Sequence, residues 1–285
     1  MNETLAAWVA PRRARLDELL SSRFDGAWPE SFGEMCRYPI RSGGKRMRPL
    51  WAVAAYEAIK SDGDLDEVVN SAAAIELIHT YSLVHDDLPC MDDDDERRGA
   101  PTVHVKYGEA PALLVGDALL TEAFRLSATA SPVKAGIRAQ IVEEIAEASG
   151  FQGMIGGQAA DIGLAGAVED VETLIRLHEG KTGALIRLAA RVGGLCAGAS
   201  DEELAALTTY GEAIGLAFQL ADDILDAEED AGDDGPPSYV KLLGVDRCRE
   251  RATALREQAL EAIAPFGERG ETLALLARYT IDRDY

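Results

Sequence analysis

Basic residues are scarce in this chain. Its 285 residues hold 28 Lys and Arg against 50 Asp and Glu, a formal charge of −22. Without a dense basic stripe there is little to neutralise a phosphate backbone, which argues against a nucleic-acid partner. Cysteine is equally sparse. Cys36, Cys90, Cys196 and Cys248 are scattered with no Cys-x-x-Cys pair, which speaks against a zinc site or a disulfide framework and suits a reducing compartment. Long apolar runs are missing as well. No uncharged stretch approaches the ~18 residues that suggest a membrane span. Glu3, Arg12, Arg13, Arg15, Asp17 and Glu18 interrupt the first twenty positions, so no signal-peptide core is expected there. The expectation is a soluble, cytoplasmic protein with no integral membrane segment.

Period-two alternation, a tandem repeat and a composition shift that would mark a domain boundary are also absent. With 47% hydrophobic and 27% charged residues, the composition is that of a folded globular chain and not of a disordered acidic one. What is present is helical periodicity. Between Val68 and Leu88, apolar or small residues recur at Val68, Ala72, Ile75, Ile78, Ser82 and Leu83, a broad stripe at three- and four-residue steps. Residues 116–130, 137–148, 171–192, 202–225 and 245–264 read the same way, with Gly and Pro clusters between them. An all-α bundle forming one domain over residues 1–285 is predicted.

From His85 the chain runs His-Asp-Asp-Leu-Pro-Cys-Met-Asp-Asp-Asp-Asp-Glu-Arg-Arg-Gly, which gathers Asp86, Asp87, Asp92, Asp93, Asp94, Asp95 and Glu96 into one stretch. Pro89 ends the preceding helix near Asp87. The first pair therefore sits at a helix C-terminus, where the macrodipole disfavours negative charge unless a cation compensates. A solvated acidic loop is the plain alternative; a calcium loop fails, because the alternating ligand spacing and terminal Glu are missing. A second acidic helix end follows at Phe218-Gln219-Leu220-Ala221-Asp222-Asp223-Ile224-Leu225-Asp226. Three- and four-residue steps put Gln219, Asp222 and Asp226 on one face. Two oxygen-only clusters with no supporting His or Cys as ligand point to a hard cation such as Mg²⁺, which binds through carboxylates together with substrate phosphates.

A phosphate-bearing substrate needs cations of its own. Gly43-Gly44-Lys45-Arg46-Met47-Arg48-Pro49 packs three of them ahead of a helix beginning near Leu50, with Lys45 and Arg48 spaced to face one anion. Glu179-Gly180-Lys181-Thr182-Gly183 breaks an otherwise regular helix, an irregularity common at functional sites. His79 lies seven residues before Asp86 and projects from nearly the same side. Taken alone, a satisfied core histidine is the commoner role for such a residue.

In combination these segments resemble the trans-isoprenyl diphosphate synthases (polyprenyl synthetases), most closely their bacterial farnesyl diphosphate synthase members. The resemblance spans nearly the whole chain and rests on residues 43–49, 86–99, 180–183 and 218–226. It implies ten or more helices around a deep central cavity, a homodimer, and head-to-tail addition of isopentenyl diphosphate to an allylic diphosphate, either dimethylallyl or geranyl. By the same resemblance Asp86, Asp92 and Asp222 would hold Mg²⁺, three ions with substrate bound, with Asp87, Asp223 and Asp226 in support. Arg97 and Lys181 would clamp the allylic diphosphate. Gly44, Lys45, Arg48, His79 and Arg98 would hold isopentenyl diphosphate. Thr182 and Gln219 would face the allylic carbocation. Five residues back from Asp86, about 7.5 Å along a helix, Tyr81 would floor the pocket beside Ser82, an arrangement similar to members that stop at fifteen carbons.

One departure stands out. Where the family carries Gly-Lys-Ser/Thr-Tyr-Pro after the second motif, this chain reads Asp233-Asp234-Gly235-Pro236-Pro237-Ser238-Tyr239, without the lysine. That leaves open a weakly active or regulatory subunit. Geranyl or geranylgeranyl diphosphate as main product stays open too. A class I terpene cyclase usually lacks both the second aspartate motif and the Gly-Gly-Lys-x-x-Arg-Pro segment, and a helical interaction protein with no chemistry leaves the paired acidic and basic clusters unexplained.

Overall fold

The computed structural model describes residues 1–168, 170–229 and 237–281. The chain opens with α1 (Glu3–Ser22), whose first turn is capped by the Asn2 side chain accepting from the Leu5 N–H at 2.8 Å. Next come α2 (Glu30–Arg41), α3 (Met47–Ile59) and α4 (Val69–Asp86). A two-stranded antiparallel ribbon, β1 (Glu96–Arg97) against β2 (Ala100–Pro101), leads to α5 (Val103–Tyr107) and α6 (Glu109–Ala128). The remainder comprises α7 (Ala135–Ser149), α8 (Met154–Ala159), α9 (Val171–His178), α10 (Ala184–Ala197), α11 (Asp201–Glu229), α12 (Tyr239–Leu243), α13 (Val245–Ile263) and α14 (Glu271–Ile281). The fold is all-α, as the periodicity predicts.

α3 and α4 are buried on every side, which puts them at the centre. Leu50 through Tyr56 and Ser71 through Ile78 are all essentially inaccessible. α3 packs against α10 and α4 against α6, while α11 lies between α10 and α13. The outer α1 buries only a stripe, Leu5, Val9, Leu16 and Leu20, at the spacing of one helical face. A smaller apolar cluster of Leu174, Leu220, Tyr239, Cys248 and Ala252 gathers where α9, α11, α12 and α13 meet. Among the described residues no helix is long and apolar enough to cross a membrane.

Two local features refine the sequence reading. The break expected at Glu179–Gly183 within residues 171–192 is a widened π-type turn, which keeps the chain helical while dividing it into α9 and α10. The ribbon carries no period-two signal because each arm is two residues long. It is made by its turn: Arg98 and Gly99 both take positive φ, 56° and 76°, the twist that closes a two-residue hairpin.

Candidate active site

Two cavities open on the same pair of side chains. The first, about 610 Å³, is lined by Lys45, Arg48, His79 and Arg98 with Glu76 and Phe218. The second, about 470 Å³, takes Arg48 and His79 as one end and runs past Asp86, Lys181 and Thr182 to an apolar body that includes Tyr81, Met154 and Leu185. A basic chamber and a mainly apolar one thus share a wall. His79 is held neutral: burial pushes its pKa well below the usual value, and Arg48, Arg98 and Arg97 act in the same direction.

The first acidic motif is folded back on itself. The Asp92 N–H donates to the Asp86 carbonyl at 2.8 Å and the Asp93 N–H to the Leu88 carbonyl at 3.2 Å, so the stretch after α4 curls round the helix end. Arg97 relieves part of the repulsion. Its Nε donates to Asp87 Oδ1 at 2.6 Å, and its Nη2 lies 2.5 Å from the same carboxylate and 2.9 Å from Asp94 Oδ2. Asp87 is buried and already committed to that arginine. Asp86 is different. Burial first, then Asp92 and Asp87, push its carboxyl up to about 6 against the pull of Lys181 and Arg97. Such a group calls for a further cation, and its hard oxygen donors suit Mg²⁺. Among the described residues no three potential metal-ligating side chains converge closely enough to cage an ion by themselves.

The second motif meets the cavity through Gln219. Thr182 Oγ1 donates to Gln219 Oε1 at 3.4 Å, and Gln219 Nε2 donates to Asp223 Oδ1 at 3.1 Å. Asp223 is buried, and its other oxygen accepts the Tyr239 backbone N–H at 2.6 Å. Asp223 therefore orients the amide and ties α11 to α12. Asp222, half-buried, acts electrostatically on Arg48, and Asp226 is exposed. Lys181 is paired with Asp161 at 2.5 Å.

The polyprenyl synthetase family model matches residues 29–268. The chain belongs to the polyprenyl synthetase family. The farnesyl diphosphate synthase of Escherichia coli (strain K12) is 44% identical over 268 residues, 88% of this chain and 89% of that one. A chloroplastic geranylgeranyl pyrophosphate synthase of Catharanthus roseus is 40% identical, covering 90% of this chain and 75% of the relative. A crystal structure of an FPP/GFPP synthase from Zymomonas mobilis in its apo form superposes with a TM-score of 0.91 at 35% identity, over 99% of this chain and all of the other. This polyprenyl synthetase is a trans-prenyltransferase enzyme with the all-α fold of its relatives.

In this polyprenyl synthetase, the sequence-predicted residues Lys45, Arg48, His79, Arg98, Tyr81, Ser82, Asp86, Lys181 and Thr182 line the two cavities, and Gly44 lines the basic one. Gln219 reaches them through Thr182. Three features escape sequence reasoning. Arg46, the middle cation of its segment, lines the basic cavity but is already paired: it is buried and bonded to Glu76 Oε1 at 2.8 Å, Asp17 Oδ1 at 2.8 Å and the Ile40 carbonyl at 2.6 Å. It braces the glycine loop, and removing its buried partner Glu76 would leave the guanidinium with Asp17 as its counter-charge, a destabilising change. Arg98 donates to the Gly43 carbonyl, joining the ribbon turn to the same loop. Gln158 and Asp161 join the apolar cavity and Lys181 respectively. Their one trace in the sequence is Gly156-Gly157-Gln158, where a Cβ on Gly157 would fall 2.2 Å from the Lys181 backbone nitrogen. The segment 233–236, where the family lysine is missing, lies outside the described residues.

Proposed function

We propose that this enzyme condenses isopentenyl diphosphate with dimethylallyl or geranyl diphosphate and releases mainly farnesyl diphosphate, acting as one catalytic domain over residues 1–285 and as a homodimer in the cytoplasm. The observation that carries the reading is the shared wall of Arg48 and His79 between a basic chamber and an apolar one carrying a carboxylate at its mouth. Two substrates that must meet end to end need such a wall. Isopentenyl diphosphate is not ionised, so its chamber has only to position it, which Gly44, Lys45, Arg48, His79 and Arg98 do through charge and hydrogen bonding. The neutral His79 adds a hydrogen bond with no fourth full charge.

In the second chamber the allylic C–O bond breaks and diphosphate departs with the electron pair. The terminal alkene carbon of isopentenyl diphosphate then bonds to the allylic carbon, and a proton is lost to the departed diphosphate. Mg²⁺, three ions in the loaded enzyme, supplies charge that stabilises the leaving diphosphate. Asp86, Asp92 and Asp222 would hold it, with Asp87 and Asp226 in support, together with oxygens of the substrate's own diphosphate. Asp223 serves at one remove, through Gln219. Lys181 leaves Asp161 to join Arg97 on the diphosphate. Thr182 and Gln219 present oxygen dipoles to the allylic cation without offering it a nucleophile, and the apolar lining excludes water, which would convert the cation to an alcohol. Tyr81, with Ser82, floors the cavity.

The test is direct. Purified protein is incubated with Mg²⁺, isopentenyl diphosphate and each allylic diphosphate in turn, and product length is measured. Farnesyl diphosphate as the main product is the expected result; failure to consume either allylic substrate overturns the reading.

A further inference from the structure

The floor of the apolar cavity is held from one side by a residue with no part in the chemistry above. Tyr81 is 5% exposed and its hydroxyl is buried without a hydrogen-bond partner, so packing alone sets the direction of the ring. One helical turn on, His85 meets it edge to face, with centroids 5.8 Å apart and planes at 78°. His85 is itself pinned from α6. Its Nε2–H donates to the Leu113 carbonyl at 3.0 Å, and since a carbonyl only accepts, the ring tautomer follows. Its ring also fills the space over Gly116 that any other residue would need: a Cβ there would lie 1.9 Å from Nε2 and 2.3 Å from Cδ2. Tyr81, His85 and Leu113 all line the cavity, while Gly116 is buried behind them.

We propose that His85 is a specificity-determining positioning residue: seated on Gly116 and bonded to Leu113, it fixes the Tyr81 ring and so limits the chain length the cavity admits. The inference rests on the prenyl-transfer reading. It makes the ceiling on product length a property of four residues on two helices, and it predicts that a methyl group outside the cavity changes the product.

Gly116→Ala substitutes no cavity-lining residue yet unseats the His85 imidazole. The ratio of products longer than the wild-type main product to that product is expected to rise by about tenfold, the low end of what one methylene-sized contact discriminates in an apolar pocket. In a Tyr81→Ala background, where longer chains already accumulate, adding Gly116→Ala is expected to leave the ratio within about twofold, because the two changes act on one element. General loosening would raise the ratio in both backgrounds. His85→Gln keeps a donor for Leu113 but removes the ring edge, so it serves if Gly116→Ala does not fold, and the same rise is expected. An active wild type together with an unchanged ratio in the folded variant overturns this inference alone, as does an additive double variant. A wild type that elongates nothing overturns the reading and this inference with it.

Discussion

Individual residues divide here into those whose charge is already matched and those whose charge is held in reserve. Asp87 is bonded to Arg97, and Asp223 to Gln219 and Tyr239. Asp86, raised to about 6 chiefly by burial and further by Asp92 and Asp87, is the carboxyl a cation would stabilise. Asp86→Ala and Asp222→Ala are each expected to lower kcat by about 10²–10³-fold or more, the scale on which single electrostatic partners of a leaving group act; steady-state isopentenyl consumption by each folded variant checks this, and near-normal turnover would sink the assignment. His178 offers a stability test. It packs edge to face on Tyr239 at 5.2 Å, and burial pushes its pKa down to about 4 from 6.5, Lys181 lowering it further and Asp161 opposing. The folded state resists a proton that the unfolded state accepts. Stability from this group is therefore complete above pH 6.5 and lost as pH falls towards 4, by on the order of 2–3 kcal/mol. Urea midpoints across that window should slope upward with pH, and His178→Phe should flatten the slope.

Elements matter where one chain segment must approach another closely. The widened turn at Glu179–Gly183 exposes Lys181 and Thr182 in mid-helix, and α8 comes so near that only glycine fits at position 157. Gly157→Ala is expected to cost about 1–3 kcal/mol from overpacking and to lower kcat more than it raises KM for isopentenyl diphosphate, because the displaced Lys181 and Thr182 have their proposed role on the allylic side. Paired melting curves and initial-rate kinetics separate the two effects; a variant with unchanged kcat would detach the turn from the chemistry. The ribbon turn works similarly at the other chamber, where Arg97 faces the acidic motif and Arg98 reaches the Gly43 carbonyl 55 positions away. Neither contact follows from local sequence. The Gly-Lys-Thr-Gly break is visible in the chain, but not the glycine on another helix that makes room for it.

Across the whole molecule, the net charge of −22 sets how stability responds to salt. Self-repulsion at that charge opposes the compact state. The melting temperature of the unliganded protein should rise when salt is increased from about 10 mM to 150 mM, where the Debye length contracts to about 8 Å. A melting temperature that falls instead would show that attractive pairs, such as Arg12 with Glu57, outweigh the repulsion. Helical periodicity and the two acidic helix ends were legible in the sequence because both are local, set by spacings of three, four and seven residues. By itself the sequence determined the all-α class, the apolar helix α4 with its terminal carboxylates, and the chemistry a phosphate-bearing substrate demands. Only the tertiary structure decided which charges line the cavities and which are already paired. Arg46 and Lys45 are neighbours in the chain and both line the basic cavity, yet Arg46 is locked to Glu76 and Asp17 by ion pairs that no local spacing encodes. His85 takes its place from a glycine on α6. Those outcomes depend on helices packing at atomic distance, and no spacing along one stretch of sequence encodes which side chain another helix will leave room for.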